Sequence, residues 1–393
     1  MRKVLFYYDN QCGEGAKGGT EIATYRIAKA LNDTQETGVY NAYRNSTQEK
    51  TSEVYSDSIK LSKNRRGFIK GLSEFIKKNE IDIIVNMGRF FRHGLLDDSI
   101  KVSGRNVKLI FMHHFAPGSE IKKSTFKSGI HLLKLNPFNP LYWLRSSIYP
   151  IIKMPRRYKY PDIYKQVYER SDRVVLLCDG YAMDYCMVGN FTDNSKFVAI
   201  QNIFDNFSPS ESSNSPKKKR VLILSRMDEI QKRLSLALKV WTKIENDTDL
   251  SEWHLDIVGG GHNTDIVKRM VRKLGLKRVT LHGWKPREEF LGRASILMMT
   301  SEYEGLPLTI LEAQATGCVP IAYNSFSSLS TVIEAFENGV VVNKFGDIDE
   351  YVAKLKDLMY DEEYRNELSN NARKTINRFS SEKIAKEWLK ILT

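Results

Sequence analysis

Cysteine is scarce in this chain. Four of the 393 residues are cysteines (Cys12, Cys178, Cys186 and Cys318), and none forms a CxxC pair. This suggests neither a disulfide framework nor a thiolate zinc site, and it fits a reducing, cytoplasmic setting. Long apolar runs are missing too: no stretch reaches the about 18 consecutive apolar residues of a membrane span. The opening "MRKVLFYYDN" starts basic but its apolar run is short. It is expected to be a first β-strand, not a leader. The loop after it lacks G-x-G-x-x-G, which disfavours a dinucleotide site. One long segment has no acid at all: from Ile121 to Tyr160 there are nine Lys/Arg and neither Asp nor Glu.

What is present suits two α/β domains. Hydrophobic residues make up 41% and aromatics 11%, enough for real cores and against wholesale disorder. The net charge is +13. Much of the excess sits in 121–160, where the cations alternate with Phe126, Leu132, Leu133, Phe138, Tyr142, Trp143, Leu144, Ile148, Tyr149, Ile151 and Ile152. Cations beside aromatic and aliphatic side chains suit an anionic membrane surface, each worth about 1 kcal/mol there. Two other readings stand beside it. The aromatics could be core of a partly helical insertion, or the cations could meet nucleic acid, though no recognition motif accompanies them.

Along the chain, short apolar runs alternate with helical stretches. "KVLFYYD", "IDIIVNMG", "VKLIFMHHF", "RVVLLC" and "KFVAIQN" read as strands of a first domain, and such near-continuous runs suit a parallel sheet covered on both faces. Residues 206–219, "NFSPSESSNSPKKK", read as a linker. The βα pattern then restarts with "RVLILS", "WHLDIVG", "VTLHG", "SILMMTS", "CVPIAY" and "GVVV". The expected layout is a domain over 1–205 carrying a basic aromatic insertion at 121–160, a linker at 206–219, a second domain over 220–380 and a final helix at 381–393. Two Rossmann-like parallel-sheet domains facing a cleft are the simplest architecture.

"SEYEGLPLTILEAQATGCVP" (301–320) carries the chemistry. It follows an apolar strand, so its first residues fall at the carboxyl edge, where ligands bind in open α/β sheets. Pro307 suits the first turn of a helix that stops at Gly317. Glu304 then lies on the loop and Glu312, eight positions on, inside the helix. A carboxylate among Leu311 and Ala313 is costly unless paired. The amides of Gly305, Leu306 and Leu308 mark a helix N-terminus, which favours anions. Without more, a structural role for Glu312 stands level with a binding one.

Ser301, Glu304, Gly305, Glu312, Ala313, Gly317, Pro320 and Ile321 stand in the register of the E-x7-E motif. In this the chain resembles retaining glycosyltransferases of GT-B fold, family 4 (group 1). The resemblance implies that Glu304 meets the donor sugar, Glu312 the donor ribose, and the backbone of Gly305 to Leu308 the sugar and diphosphate. It implies an Arg and a Lys on the diphosphate, here Arg226 and Lys232 of "LILSRMDEIQKR". The family's spacing is usually five and here it is six, so Arg233 competes with Lys232. Around "IVGGGH" the glycines Gly259 to Gly261, and around "HGW" the residues Gly283 to Lys285, resemble the strands near the nucleotide. "VIEAFENGVVV" matches a family segment through Glu334 and Gly339, without the glycines usual before it. In the first domain the family's Gly-Gly pair falls on Gly18 and Gly19. Its histidine near the transferred sugar falls on His114, with His113 the alternative. The family's last helix crosses back to the first domain.

These resemblances imply a retaining, metal-independent hexosyltransferase. Its donor is a nucleotide sugar, UDP by default, and its acceptor is lipid-linked, lipopolysaccharide or polysaccharide in bacterial surface-glycan biosynthesis. No cofactor, metal or nucleic-acid partner is expected. Asp347 and Asp349 form a D-x-D that reads as a helix cap. The expected place is the cytoplasm, peripherally on the inner face of the membrane through 121–160. The alternatives are a non-catalytic sugar-nucleotide-binding scaffold and a GT-B enzyme on free sugar nucleotides, such as an epimerase.

Overall fold

Short apolar runs become strands, and inner ones such as Ile83–Asn86, Ala294–Met299 and Val319–Tyr323 are buried throughout, as both faces of a covered parallel sheet require. The computed structural model describes residues 1–15, 18–46, 52–122, 125–205 and 217–393. Two units divide the chain: Met1–Gly118 with Arg156–Asp205 and Phe379–Thr393, and Ser119–Pro155 with Asn206–Arg378. Among the described residues no helix is long and apolar enough to cross a membrane.

The first unit holds a sheet of β1 (Arg2–Tyr7), β2 (Thr37–Tyr43), β3 (Asp57–Lys60), β4 (Ile83–Asn86), β5 (Lys108–Met112), β6 (Arg173–Leu176) and β7 (Phe197–Ala199). Its order is β3-β2-β1-β4-β5-β6-β7, parallel throughout. β2 and β3 were not among the expected strands. "TGVYNAY" mixes polar and apolar residues, yet every position is buried because it pairs with β1 on one side and β3 on the other. The final helix, Ser381–Leu392, belongs to this unit. It buries Ile384, Ala385, Trp388 and Leu392, one face at helical spacing, and Trp388 meets Phe6 edge-on at 6.4 Å. Asp205 fixes its start by accepting the Ser381 N–H at 2.8 Å.

The second unit holds β8 (Lys218–Leu224), β9 (His254–Val258), β10 (Val279–Gly283), β11 (Ala294–Met299), β12 (Val319–Tyr323) and β13 (Val340–Val342). Their order is β10-β9-β8-β11-β12-β13, again parallel. In both sheets the first strand lies inside, with the next strands stacked to one side and the later ones to the other. The order therefore reverses between β1 and β4, and between β8 and β11. Such switch points open a crevice at the carboxyl edge. Most of the expected linker, 206–216, lies outside the described residues, and β8 begins at Lys218, inside its last part.

The basic insertion departs from the expected layout. Read as part of the first domain, its Ser119–Pro155 stretch is instead built into the second unit. Packing is the reason. Helix Phe126–Leu135 buries Leu132 and helix Pro140–Ser147 buries Tyr142 in the core that also holds Trp241, Leu255 and Ile266. Polar contacts add register: the Tyr142 hydroxyl accepts from Asn263 Nδ2 at 2.9 Å, and Asn136 Nδ2 donates to Asp265 at 2.9 Å. Phe126, Ile130, Phe138, Leu141, Trp143, Leu144, Ile148 and Ile151 stay exposed, Phe138 at 82%.

Candidate functional site

The loops after β8, β9, β10 and β11 meet at the carboxyl edge of the second unit's sheet. Arg226 stands in the first of them. Its loop is held against the glycine loop after β9: Met227 N–H donates to Gly260 O at 2.9 Å and Asn263 N–H to Met227 O at 3.1 Å. At Gly259, with φ +129°, a Cβ would lie 2.0 Å from the Ser225 carbonyl oxygen. Only glycine lets these two backbones approach. The "GGG" run thus shapes the bed of Arg226. Its Nη2 donates to Gln231 Oε1 at 3.3 Å.

Lys232 ends the short helix Glu229–Lys232, which Asp228 caps by accepting from the Ile230 and Gln231 amides. Across the switch point its Nζ meets Glu304 Oε1 at 2.6 Å, with the two side chains 12% and 9% exposed. Gln231 Nε2 donates to Glu304 Oε2 at 3.2 Å and to Tyr303 O at 3.1 Å. Glu304 therefore has a cation and an amide on its two oxygens, while Gln231 links it to Arg226. Arg233 takes another course. It sits in the left-handed region at φ +52° and pairs with Glu302 through Nε at 2.7 Å. Of the two neighbouring cations, Lys232 is the one beside Glu304. Burial and the acids Asp228, Glu302 and Glu304 push the Tyr303 hydroxyl pKa up, so it stays protonated.

Glu304 lies on the loop and Glu312 in the helix Leu308–Ala315. Pro307 is the residue before the helix rather than within its first turn. Leu308 N–H is not free as the sequence suggested: it donates to Leu306 O at 2.9 Å. Glu312 is buried and Arg287 Nη1 meets its Oε1 at 2.7 Å, the arginine half exposed and the carboxylate 4% exposed. That ion pair answers the cost of an acid among aliphatic neighbours. Neither Arg287 nor Gln231 was singled out in the sequence. Each acts through a partner distant in the chain, and no local spacing shows it.

Gly283, at φ +67°, ends β10 and accepts the Gly259 N–H at 2.8 Å. Trp284 follows, 73% exposed, its indole packed so close to Gly260 that a Cβ there would lie 2.6 Å from Nε1. Glu334 pairs with Arg378, and a Cβ on Gly339 would meet Pro320 at 2.8 Å. Asp347 accepts the Glu350 N–H at 3.0 Å as the cap of the helix Ile348–Tyr360, and Asp349 pairs with Lys243.

In the first unit, Gly18 is the residue before the helix Gly19–Asp33, and Gly19 is its first residue. Nothing lies within 4 Å of a Cβ built on Gly19. His113 and His114 follow β5 at the carboxyl edge, and both are buried. His113 is ringed by Phe90, Tyr164 and Tyr185 at 5.0–5.7 Å between centroids. His114 lies beside Gly88, and burial together with neighbouring His113 lowers its pKa to about 3. Its imidazole is neutral at pH 7 and carries no charge at the sheet edge.

Residues 206–375 match the family model described as "Glycosyl transferases group 1". An "Uncharacterized glycosyltransferase" of Haemophilus influenzae is 30% identical over 159 residues, 39% of this chain and 44% of that protein. The "Poly(glycerol-phosphate) alpha-glucosyltransferase" of Bacillus subtilis is 24% identical over 233 residues, 58% of this chain and 34% of that one. The chain thus spans less than half the length of either relative. Among solved structures, HepE of Anabaena in complex with UDP and glucose superposes with a TM-score of 0.69 at 15% identity, over 100% of this chain and 99% of that one. The fold is that of GT-B glycosyltransferases.

Proposed function

We propose that the chain is a retaining glycosyltransferase that moves a hexose from a UDP-sugar to a lipid-linked or polysaccharide acceptor of a bacterial surface glycan. One observation carries the reading: Arg226, Gln231, Lys232 and Glu304 converge across the β8/β11 switch point, a cationic and carboxylate pair at the edge where α/β sheets bind ligands. Cations there suit a diphosphate whose charge grows as the sugar–phosphate bond breaks, and no metal is needed for that stabilisation. Glu304 offers oxygens to sugar hydroxyls. Glu312, steadied by Arg287, faces the ribose, and the edge around Gly283 and Trp284 offers a surface to the base. The amides from Gly305 to Leu308 add to the anion's setting, Leu308 less than the spacing implied because its own N–H is engaged.

In the first unit the reading assigns Gly18, Gly19 and neutral His114 to polar contact with the reacting groups. It names no protein base, because the acceptor hydroxyl attacks on the face that the leaving group departs. The relatives supply the context: one is named for a poly(glycerol-phosphate) acceptor, and the superposed HepE holds UDP and glucose. The exposed apolar and basic surface of 126–151 suits a lipid-borne acceptor, with the protein resting on an anionic membrane face.

The test is turnover of a panel of nucleotide sugars, with and without a chelator, the anomeric configuration of the product being read by NMR. Glu304→Gln is the control. Donor consumption that is lost in the variant, unaffected by the chelator and stereochemically retaining supports the proposal. Tight donor binding without turnover favours the scaffold reading, and interconversion of free sugar nucleotides favours the epimerase.

A further inference from the structure

The first unit has a switch point of its own, between β1 and β4, and three arginines crowd it. Asp9 follows β1, Arg44 follows β2, and Arg89 and Arg92 follow β4, so all four stand at one carboxyl edge. The Asp9 carboxylate lies 3.9 Å from Arg44 Nη1, 3.5 Å from Arg89 Nε and 3.8 Å from Arg92 Nε. None of these is a tight pair. The short bond to Asp9 comes from the Tyr7 hydroxyl at 2.8 Å. One carboxylate therefore faces three guanidiniums, leaving the cluster two positive charges in excess.

The arginines are also under-used. Arg44 gives Nη2 to Lys63 O and Arg89 gives Nη2 to Tyr8 Oη, each near 3 Å. The Nε–H groups of Arg44 and Arg89 are buried and donate no hydrogen bond. Arg89 also stacks on the Tyr8 ring at 4.4 Å, which holds its fork in one plane. Glu21, the other nearby acid, is taken by Asn10 at 2.8 Å. A structural ion network would saturate its donors against carboxylates. This one keeps forks that match the oxygens of a phosphate, at the place where such sheets bind ligands.

We infer that Asp9, Arg44, Arg89 and Arg92 form a binding site for a phosphate or pyrophosphate ester, which on the function proposed above is the anionic group of the acceptor. Asp9 spaces the guanidiniums until the ester arrives. A lipid diphosphate and a soluble phosphate share this chemistry.

The test uses the full chain in an Arg226→Ala/Lys232→Met background, which removes the cations of the second unit. Inorganic pyrophosphate is titrated by calorimetry. Binding should persist in that background. Arg92→Gln and Arg89→Gln should each weaken it roughly 10- to 100-fold, the loss of one or two charge-assisted bonds. Arg92→Lys should recover only part, since it restores charge without the fork. Arg65→Gln, at an exposed pair with Asp98, should change nothing. Farnesyl diphosphate binding more tightly than pyrophosphate identifies a lipid ester, and equal affinity a soluble one. Absence of binding in the background, or binding indifferent to both Arg89→Gln and Arg92→Gln, overturns the site. Because no transfer is measured, a failed transferase assay leaves this result standing.

Discussion

On the proposed function Lys232 has two roles that one substitution would confuse and two would separate. Its Nζ is 2.6 Å from a Glu304 oxygen, and both side chains are about nine-tenths buried. Lys232→Met keeps the aliphatic stem but takes the cation away from a buried carboxylate that Gln231 also contacts at 3.2 Å. Breaking a buried pair costs about 3–5 kcal/mol, and the surviving amide places this case near the lower figure. For a unit of this size each kcal/mol lowers Tm by roughly 2–4 °C, so the unit should melt roughly 6–12 °C lower. Lost stabilisation of the diphosphate should also slow turnover by about 10²-fold or more. Adding Glu304→Gln removes the buried charge, so the melting temperature should largely return while the rate stays low. Arg233→Met breaks a pair nearer the rim with Glu302, worth about 1 kcal/mol, and should leave the rate within a few-fold. Calorimetric melts and donor turnover at a temperature where all variants fold give both readouts. A double variant as unstable as Lys232→Met would refute the pairing. A rate lost in Arg233→Met but kept in Lys232→Met would move the diphosphate cation to Arg233.

Gly259→Ala should abolish turnover while the chain still folds, because its Cβ would sit 2.0 Å from Ser225 O and push the Arg226 loop away; donor binding equal to the parent's would contradict this. Arg287→Ala should cost about 1–3 kcal/mol by removing the guanidinium beside buried Glu312, discounted for the half-exposed arginine, and that cost should vanish on a Glu312→Gln background; a cost that persists there belongs to something else. His93 and His114 are both held by burial near a pKa of about 3. The unfolded chain binds their protons first, so first-unit stability is full above pH ~6.5 and falls by about 1.4 kcal/mol per pH unit per histidine as pH drops below it. Urea midpoints at pH 7.5 and 5.5 read the slope, and an unchanged slope in His114→Gln would remove that residue from the account. Phe138→Ser with Trp143→Ser should reduce flotation with anionic liposomes and leave UDP affinity alone; undiminished flotation would take the membrane face elsewhere.

The strand runs were legible because a sheet covered on both faces demands apolar residues at consecutive positions, and β5, β8 and β11 supply them. β2 escaped because burial of "TGVYNAY" comes from its neighbours β1 and β3, not from its own composition. Glu304 on a loop and Glu312 in a helix could be placed from Pro307 and Gly317. Their partners could not: Lys232 is 72 residues from Glu304, and Arg287 lies on a helix whose local pattern gives no hint of it. The three arginines at the β1/β4 switch point were hidden the same way, Arg44 after β2 and Arg89 and Arg92 after β4. The insertion was recognisable as basic and aromatic, but an amphipathic pattern says only that one face is buried, not against which sheet.

That placement changes what the charge excess means. Glu229 has a carboxylate with no exposed surface, which is costly unless its oxygens are satisfied. It is satisfied by the Ser235 N–H at 3.1 Å, by the Ser235 hydroxyl, and by His131 of the insertion at 3.1 Å. Glu229 opens the one-turn helix that ends in Gln231 and Lys232. The insertion is thus bonded to the element that presents the lysine of the switch point, while Leu132 and Tyr142 anchor it in the same core. A floating arm would need none of this. The exposed Phe138, Leu141, Trp143 and Leu144 therefore stand in a fixed relation to Lys232 and Glu304 inside one unit. A surface that grips those side chains also orients the site. Residues 121–155 of the basic segment and the Glu304 loop, far apart in the sequence, belong to one unit.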